Sequence, residues 1–258
     1  MAGEIIREGS DVLATLTISH PEKRNALNVR MWQELAALMR ALSQESELRC
    51  IVIRGATTEA FSAGADISEF GETRTTYEQV VRFHEEYVLG CLGAVAACPV
   101  PVVAAIQGAC FGGGLEIAVM CDIRIAAEEA RFGVPVGRMG FPLAFGETEA
   151  LCRLVGPSVA AELLIEGRIL DARTACAKGL ITRVAGKGEF EAEVAATTKN
   201  ICASGILAAR SHKRQIRRLM EDASPVTAAE RMDVYRFADS EEYRRGVSAF
   251  LAKTDRQR

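Results

Sequence analysis

Three consecutive glycines, residues 112–114, precede the carboxylate of Glu116 in the segment GACFGGGLEIAVMCDI. Glycine weakens a helix by about 1 kcal/mol relative to alanine, and an ionised carboxylate in apolar surroundings needs compensation. Glycines between a buried strand and a helix expose backbone N–H groups at the positive end of that helix, which suits an anion or a developing oxyanion. The segment therefore predicts a backbone site for negative charge, with Glu116 as a general acid or base whose pKa is raised by its surroundings.

A second glycine-containing loop, FSAGAD (residues 61–66), also follows a predicted buried strand. Two such loops at the carboxyl ends of adjacent parallel strands can direct two N–H groups at one point, which makes an oxyanion hole. The glycines are not followed by Lys and Ser or Thr, so the segment is not a Walker phosphate loop. Three glycines alone are not a dinucleotide-binding fingerprint either.

The elements that position these loops belong to a chain of 258 residues, 49% of them hydrophobic, which is enough for one large domain. The net charge of −3, with acidic and basic residues mixed, argues against a nucleic-acid partner. One basic segment, RSHKRQIRR (residues 210–218), is either a solvated helix face, which we favour, or a binding patch.

Signals for export, membrane insertion and metal binding are weak. The N-terminal MAGEIIREGSDV has no apolar signal region, and the most apolar window (94–106) is shorter than the roughly 20 residues of a spanning helix. Eight cysteines lack CxxC pairs, and the three histidines are far apart in sequence. We predict free thiols in a reducing cytosol, a cytoplasmic protein without a membrane partner, and no metal site.

Hydrophobic periodicity predicts an α/β fold. Parallel βαβ units with right-handed crossovers are expected, because buried strands alternate with helices. The first two strands are predicted to form a hairpin of residues 4–8 and 12–18 that turns at 9–11. Further strands are predicted at 50–55, 101–108 and 122–128, with residues 56–67 as a loop. Helices are predicted at 29–45, capped by Asn28, at 77–96, and after the glycines up to about 120.

The last third of the chain is predicted to be helical. We place an α/β core at residues 1–195 and a helical C-terminal region, which packs against a partner subunit, at 196–258. The predicted helices cover residues 144–155, 157–165, 172–178, 189–203, 207–220, 225–238 and 240–252.

Taken together, these segments resemble the crotonase (enoyl-CoA hydratase/isomerase) superfamily along nearly the whole chain. The resemblance is carried by VAAIQGACFGGGLEIAVMCDI, together with HPEKRNALN, AFSAGADI, ARFGVP and SAFLAK in family order and spacing. It implies a crotonase-like spiral of repeated ββα units, whose helical C-terminal region assembles a homotrimer or a dimer of trimers. It also implies an acyl-CoA thioester substrate, so that coenzyme A enters as part of the substrate and no cofactor is tightly bound.

Residue by residue, the resemblance assigns the two oxyanion donors to the backbone N–H groups of Ala65 and Gly113. In the hydratase branch two glutamates bracket the reacting water, and the first of them matches Glu116. The second position reads Val136 in this chain, and a valine can neither activate water nor deliver a proton. This departure counts against both the complete two-glutamate mechanism and the simple isomerase branch.

Downstream of Val136, Glu147 replaces a glycine of the hydratase pattern. It either reaches the acyl pocket as a substitute carboxylate or satisfies the dipole at the start of the next helix, which is the commoner role. Arg138 either neutralises a carboxylate on the substrate, as a malonyl-type decarboxylation requires, or is a surface arginine, which is again the commoner role.

The resemblance also implies residues that contact coenzyme A. They come from two N-terminal loops and from the end of the chain: Lys23, Arg24, Ala26, Ala63, Asp66, Ile67, Phe250 and Lys253. The function expected is enoyl-CoA hydration with Glu116 as the acid/base. The alternatives are other enolate chemistry on an acyl-CoA (isomerisation, decarboxylation or hydrolysis) and acyl-CoA binding without catalysis.

Overall fold

The computed structural model describes residues 3–255, with side chains as far as residue 252. Over this range the strands are β1 (Glu4–Gly9), β2 (Leu13–Ser19), β3 (Cys50–Gly55), β4 (Ala60–Ser62), β5 (Val102–Ile106), β6 (Ala109–Phe111), β7 (Ile123–Ala127), β8 (Arg131–Gly133), β9 (Leu170–Asp171) and β10 (Arg183–Ala185).

The helices cluster in the crossovers and in the C-terminal third. They are α1 (Val29–Leu42), α2 (Phe70–Thr73), α3 (Tyr77–Arg82), α4 (Leu89–Ala97), α5 (Gly113–Met120), α6 (Phe145–Leu164), α7 (Ala172–Ala177), α8 (Phe190–Ala203), α9 (Ile206–Glu221), α10 (Ala228–Val234) and α11 (Glu241–Asp255). A π-helix, Phe83–Val88, joins α3 to α4, and 3-10 helices cover Pro21–Lys23, Ile67–Glu69, Pro135–Met139 and Tyr235–Asp239.

The chain winds as a spiral between two sheets. The larger sheet has the order β1-β2-β3-β5-β7-β10, and the smaller sheet has the order β4-β6-β8-β9. Strands β3, β5 and β7 each lead into a strand of the smaller sheet and then into helix, which gives three ββα turns. Neighbouring strands are parallel except in the β1–β2 and β8–β9 pairs. The α/β spiral that the resemblance implied is confirmed.

Strands β3 and β5 are apolar on both faces because the larger sheet is covered on both sides. Ile51 and Ile53 pack into the main core, whereas Cys50 and Val52, their alternate neighbours, pack beneath helix α8. Burial of each such aliphatic side chain stabilises the fold by about 1.5–3 kcal/mol. This double covering fixes the position of the strands that lead to the predicted loops.

Two helix boundaries were predicted from local chemistry and are confirmed. The side chain of Asn28 accepts a hydrogen bond from the N–H of Met31 at 2.8 Å and caps α1. Helix α6 is interrupted between the two predicted segments at Gly156, whose φ of 77° is left-handed and which precedes Pro157. Proline lacks the donor that would continue the helix, and glycine supplies the turn.

The short strands were not predicted. The segment 56–67, expected to be a loop, contains β4, and the last third, expected to be helical, contains β9 and β10. These strands have two or three residues, too few to show a periodic pattern. The predicted boundary after residue 195 falls inside α8, so the division into two regions remains a prediction.

The C-terminal helices are tied to the core by buried polar contacts. The ammonium group of Lys213 on α9 donates to the carbonyl of Val100 at 2.9 Å and lies 2.7 Å from Asp122. Each lysine and arginine of the basic segment 210–218 has a carbonyl or carboxylate partner within the chain. This pairing favours a structural helix face over a binding patch.

Candidate active site

A cavity of about 340 Å³ lies between the two predicted glycine loops and the starts of helices α5 and α6. We call it the central cavity. Its lining contains 21 residues from Trp32 to Glu147, among them Ala65, Gly113, Glu116, Val136 and Glu147. The structure therefore brings together the four residues predicted to be catalytic and the position where the second glutamate was expected.

The first loop begins at the end of β4. Gly64 has a φ of 99°, and its N–H donates to the hydroxyl of Ser62 at 3.1 Å. A Cβ atom at Gly64 would lie 3.0 Å from the carbonyl oxygen of Phe111, so glycine allows the two loops to approach each other. Ala65 follows, paired through a β-bridge with Leu27.

The second loop begins at the end of β6 and continues into α5. A Cβ atom at Gly113 would lie 2.6 Å from the indole ring of Trp32, and one at Gly114 would lie 2.7 Å from the carbonyl oxygen of Ser62. Glycine is therefore required at both positions by close packing. The two loops follow β4 and β6 of the smaller sheet, whereas the sequence suggested that they directly follow the long buried strands.

The backbone N–H groups of Ala65 and Gly113 lie side by side. A Cβ atom at Gly113 would lie 3.7 Å from the nitrogen of Ala65, and one at Gly64 would lie 3.4 Å from the nitrogen of Gly113. Within the described residues neither N–H donates to a backbone or side-chain acceptor. Two uncommitted donors at this spacing can bind one oxygen that carries developing negative charge.

Glu116 lies in the first turn of α5, between Leu115 and Ile117. Its carboxyl group faces the central cavity from apolar surroundings. Burial raises the pKa of Glu116 well above its ordinary value, the charge of Glu147 raises it further, and Arg74 partly opposes both. The side chain is thus suited to hold a proton more strongly than an exposed glutamate and to deliver it to a substrate.

Glu147 lies in the first turn of α6, with its side chain inaccessible to solvent. One carboxylate oxygen accepts from the N–H of Ala144 at 3.0 Å, and the other lies 2.7 Å from Nδ1 of His84. The predicted role at the helix start is therefore observed. The same carboxylate also lines the central cavity, so the two interpretations left open by the sequence are compatible.

Two cavity residues were not anticipated from the sequence. His84 is held on the π-helix, a rare distortion that often accompanies functional sites. The guanidinium carbon of Arg74 lies 3.5 Å, 4.0 Å and 5.7 Å from the ring centroids of Phe83, Phe70 and Phe141. Burial lowers the pKa of Arg74 to about 10, opposed by Glu116 and Glu147. Both residues are brought to the cavity by tertiary contacts that leave no local sequence signal.

Val136 and Arg138 share the 3-10 helix Pro135–Met139. Val136 is buried and contributes an apolar surface to the central cavity where a second glutamate was expected. Arg138 is exposed and donates from Nη2 to the carbonyl of Gly167 at 3.3 Å. It lies at the edge of the cavity and largely in solvent, as the surface interpretation expected.

Six of the residues predicted to contact coenzyme A lie on two loops that are joined to each other beside the cavity. The N–H of Ala63 donates to the carbonyl of Arg24 at 3.0 Å, which joins the loop containing Lys23, Arg24 and Ala26 to the loop containing Ala63, Asp66 and Ile67. Arg24 and Ile67 are exposed on these loops.

Lys23 and Asp66 form an ion pair between the two loops, with 2.6 Å between the ammonium nitrogen and a carboxylate oxygen. Asp66 also accepts from the N–H of Ser68 and caps the next turn. Burial acts to raise the pKa of Asp66, but hydrogen bonds from Lys23 and Ser68 outweigh it and the pKa is lowered. The pair fixes the exit of the first glycine loop.

The two C-terminal residues are not part of these loops. Phe250 is 72% exposed on α11 and does not line the central cavity. Lys253 has its side chain outside the described part of the chain. Their predicted contacts with the coenzyme A of a neighbouring subunit remain predictions.

Residues 3–255 also bear on metal binding, membrane insertion and the state of the cysteines. No group of three or more His, Cys, Asp or Glu residues in the described part could hold a metal ion. None of its helices is long and apolar enough to cross a membrane. All eight cysteines lie within this range as free thiols.

Comparison with known proteins identifies the family of the chain. The sequence model described as Enoyl-CoA hydratase/isomerase matches residues 8–257. A crotonyl-CoA hydratase of Syntrophomonas wolfei is 32% identical over 255 residues, covering 96% of this chain and 95% of the relative. A short-chain-enoyl-CoA hydratase of Clostridium acetobutylicum has the same identity and coverage.

Solved structures give the same result. An enoyl-CoA hydratase/carnithine racemase from Magnetospirillum magneticum is 44% identical and superposes with a TM-score of 0.92, covering 96% of this chain and 92% of the other. The chain belongs to the enoyl-CoA hydratase/isomerase family, within the crotonase superfamily.

Proposed function

We propose that this protein hydrates a trans-2-enoyl-CoA thioester, with Glu116 and Glu147 as its two carboxyl groups. The observation that carries the proposal is the convergence of the uncommitted N–H groups of Ala65 and Gly113 with both carboxyl groups in one cavity. Similarity to two enoyl-CoA hydratases supports the substrate class. Coenzyme A enters as part of the substrate, and no tightly bound cofactor is required.

In the proposed reaction the thioester oxygen accepts hydrogen bonds from Ala65 and Gly113. Water adds to the β-carbon, the carbon–carbon π bond breaks, and its electrons move to the thioester oxygen as an enolate. Each backbone donor that stabilises such an oxyanion contributes about 3–4 kcal/mol to the chemical step. The enolate then collapses as the α-carbon takes a proton.

The two carboxyl groups have different roles. Glu147, whose oxygens contact the N–H of Ala144 and Nδ1 of His84, is held in position to take the proton of the attacking water. Glu116, whose pKa is raised by burial and by the charge of Glu147, is the group that donates a proton to the α-carbon. A proton then returns from Glu147 to Glu116 through solvent, so that both groups regain their starting states.

A second candidate is the shift of a double bond along the acyl chain, which the match to the Enoyl-CoA hydratase/isomerase family supports. Because Val136 carries no proton, Glu116 or Glu147 would have to move it. Isomerisation moves a proton between two carbons and needs no site for water, so one carboxyl group suffices. A 3-enoyl-CoA distinguishes this candidate, because it becomes a conjugated 2-enoyl-CoA whose absorbance appears instead of disappearing.

The direct test follows the enoyl absorbance of crotonyl-CoA with the wild type and with Glu116→Gln, Glu147→Gln and Glu149→Gln. The last is a matched control, since Glu149 is exposed on the same helix and paired with Arg153. Loss of absorbance in the wild type and the control, but not in the other two, supports the proposal. Binding of crotonyl-CoA without turnover in the wild type would contradict hydration and favour acyl-CoA binding alone.

We also propose that the protein is cytoplasmic, because its free thiols favour a reducing compartment.

We further propose that the protein assembles as a homotrimer or a dimer of trimers through α9–α11. The described residues of these helices, and of the 3-10 helix between α10 and α11, expose large apolar side chains, namely Leu207, Ile216, Leu219, Met220, Met232, Tyr235, Phe237, Tyr243, Val247, Phe250 and Leu251. Such surfaces mark protein interfaces. Sedimentation velocity tests the assembly, and a monomer at micromolar concentration would contradict it.

A further inference from the structure

Arg74 is held in the central cavity by three aromatic rings. Its guanidinium carbon lies closest to the rings of Phe83 and Phe70, while Phe141 completes the group. Attraction between a guanidinium and the faces of aromatic rings fixes the cation without using its N–H donors. The rings therefore position Arg74 and leave its hydrogen-bonding capacity unused.

The donors of Arg74 lack acceptors in the part of the chain that the structure describes. The Nε atom is buried without a hydrogen-bond partner, and no described carboxylate lies within 4.0 Å of its nitrogens. Arg138, the other arginine of the cavity, donates instead to the carbonyl of Gly167. A buried polar group without a partner requires an explanation, and a ligand that supplies the acceptor is one.

The carboxyl groups of the protein do not fill this role. Glu147 is engaged at both oxygens by Ala144 and His84. Glu116 lies farther than 4.0 Å from the nitrogens of Arg74, so within the described residues it forms no ion pair with the guanidinium. The cavity thus holds a fixed guanidinium whose planar donor edge matches a group with two acceptor oxygens.

We infer that Arg74 recognises a carboxylate on the acyl group, so that the preferred substrate is a thioester of a dicarboxylic acid. This inference rests on the proposed function, because it assumes that the acyl group of a coenzyme A thioester enters the central cavity. The surroundings of Arg74 support a short acyl chain, since Phe70, Phe83 and Phe141 enclose it and the cavity is about 340 Å³.

Binding of saturated thioesters tests the inference without any catalytic step. Dissociation constants are measured by calorimetry for glutaryl-CoA against valeryl-CoA and for adipyl-CoA against hexanoyl-CoA, pairs that differ only in the terminal group. We expect the wild type to bind at least one dicarboxylic member about tenfold or more tightly, as for a charge-assisted bidentate contact. Arg74→Gln removes this preference, and Arg74→Lys, which keeps the charge but not the fork, retains only part of it.

Arg138→Gln is the matched control, because it removes the other cavity arginine and leaves Arg74 in place. It is expected to keep the preference for the dicarboxylic thioesters. Equal binding within each pair by the wild type would overturn the inference and leave hydration of neutral enoyl-CoA intact. A preference that survives Arg74→Gln in a folded variant would also overturn it. Failure of all four thioesters to bind would overturn the proposed function and the inference together.

Discussion

Helices α5 and α6 both begin at the central cavity, and both carry a glutamate in the first turn, yet the two starts are built differently. At α6 the carboxylate of Glu147 binds the N–H of Ala144 and is braced by His84. At α5 no side chain caps the helix, the N–H of Gly113 has no acceptor within the described residues, and Glu116 faces the cavity.

At the start of α6 a backbone N–H group is hydrogen-bonded by a side chain of the same helix, whereas at the start of α5 the N–H of Gly113 stays available to a ligand. Unsatisfied donors cost free energy, so a fold retains them where a ligand supplies the acceptor. By this criterion the start of α5 is the reactive one, and the start of α6 presents a carboxylate whose position is set in advance.

The largest effect is expected at Glu116. Replacement by Gln is expected to lower kcat/KM by about 10²–10⁴, since it removes a general acid. Steady-state kinetics with crotonyl-CoA measure the loss. An unchanged rate in the variant would mean that the free start of α5 contributes only its backbone donors.

The stability of the same variant is expected to depend on pH differently from the stability of the wild type. The pKa of Glu116 is higher in the folded chain than in the unfolded chain. Between these two pKa values the folded chain holds a proton that the unfolded chain has lost. The free energy of unfolding therefore falls as the pH rises through this range. Glu116→Gln removes this fall. We therefore expect the Tm of the variant minus that of the wild type to increase from acidic to neutral pH, measured by calorimetry.

Gly113→Ala probes the donors at the start of α5. The new Cβ would lie 2.6 Å from Trp32, so the loop must shift, and we expect kcat/KM to fall by about 10²–10³ and the fold to lose about 1–3 kcal/mol. Gly93→Ala is the control, because Gly93 is exposed inside α4 with open space around its Cβ position. That control should be neutral or slightly stabilising, and equal effects of both changes would refute the role of Gly113.

At the start of α6, His84 and Glu147 should act as a unit. His84→Ala and Glu147→Gln are each expected to lower kcat, while the double variant loses less than the product of the two, with an interaction energy of about 0.5–3 kcal/mol. A double-mutant cycle measures this energy. Additive losses would show that His84 does not position the carboxylate.

The smallest effect is expected outside the cavity, at Lys23. Its ammonium group is partly exposed, so a phosphate contact there is worth only about 0.2–1 kcal/mol, and Lys23→Met should raise KM by at most about fivefold. Kinetics with a pantetheine thioester, which lacks the nucleotide phosphates, provide the control. An equal rise in KM for both substrates would assign Lys23 to the Asp66 ion pair alone.

The sequence was most informative where local chemistry determines structure. The glycines around Gly113, the Asn28 cap and the break at Gly156 follow from backbone sterics and hydrogen bonding within a few residues. The association of the two glycine loops also followed, because parallel strands end at a common edge. The family resemblance supplied the spiral order of the strands.

Other features depend on contacts between distant parts of the chain. The partner of Glu147 is His84, 63 residues earlier, and neither residue carries a local pattern that predicts the contact. The three rings around Arg74 come from α2, the π-helix and the segment before α6. The strands of the smaller sheet are too short for periodicity to detect.

The π-helix Phe83–Val88 has an evolutionary consequence. Such segments accommodate an extra residue within an α-helix, so deletion of one residue there would restore regular winding. Each residue of an α-helix turns the chain by about 100°, so a deletion just after His84 would rotate His84 and the preceding helix α3 relative to α4. A single codon lost or gained at this position would thus change which polar side chains a descendant enzyme presents to its substrate, while the sheets and the glycine loops stay as they are.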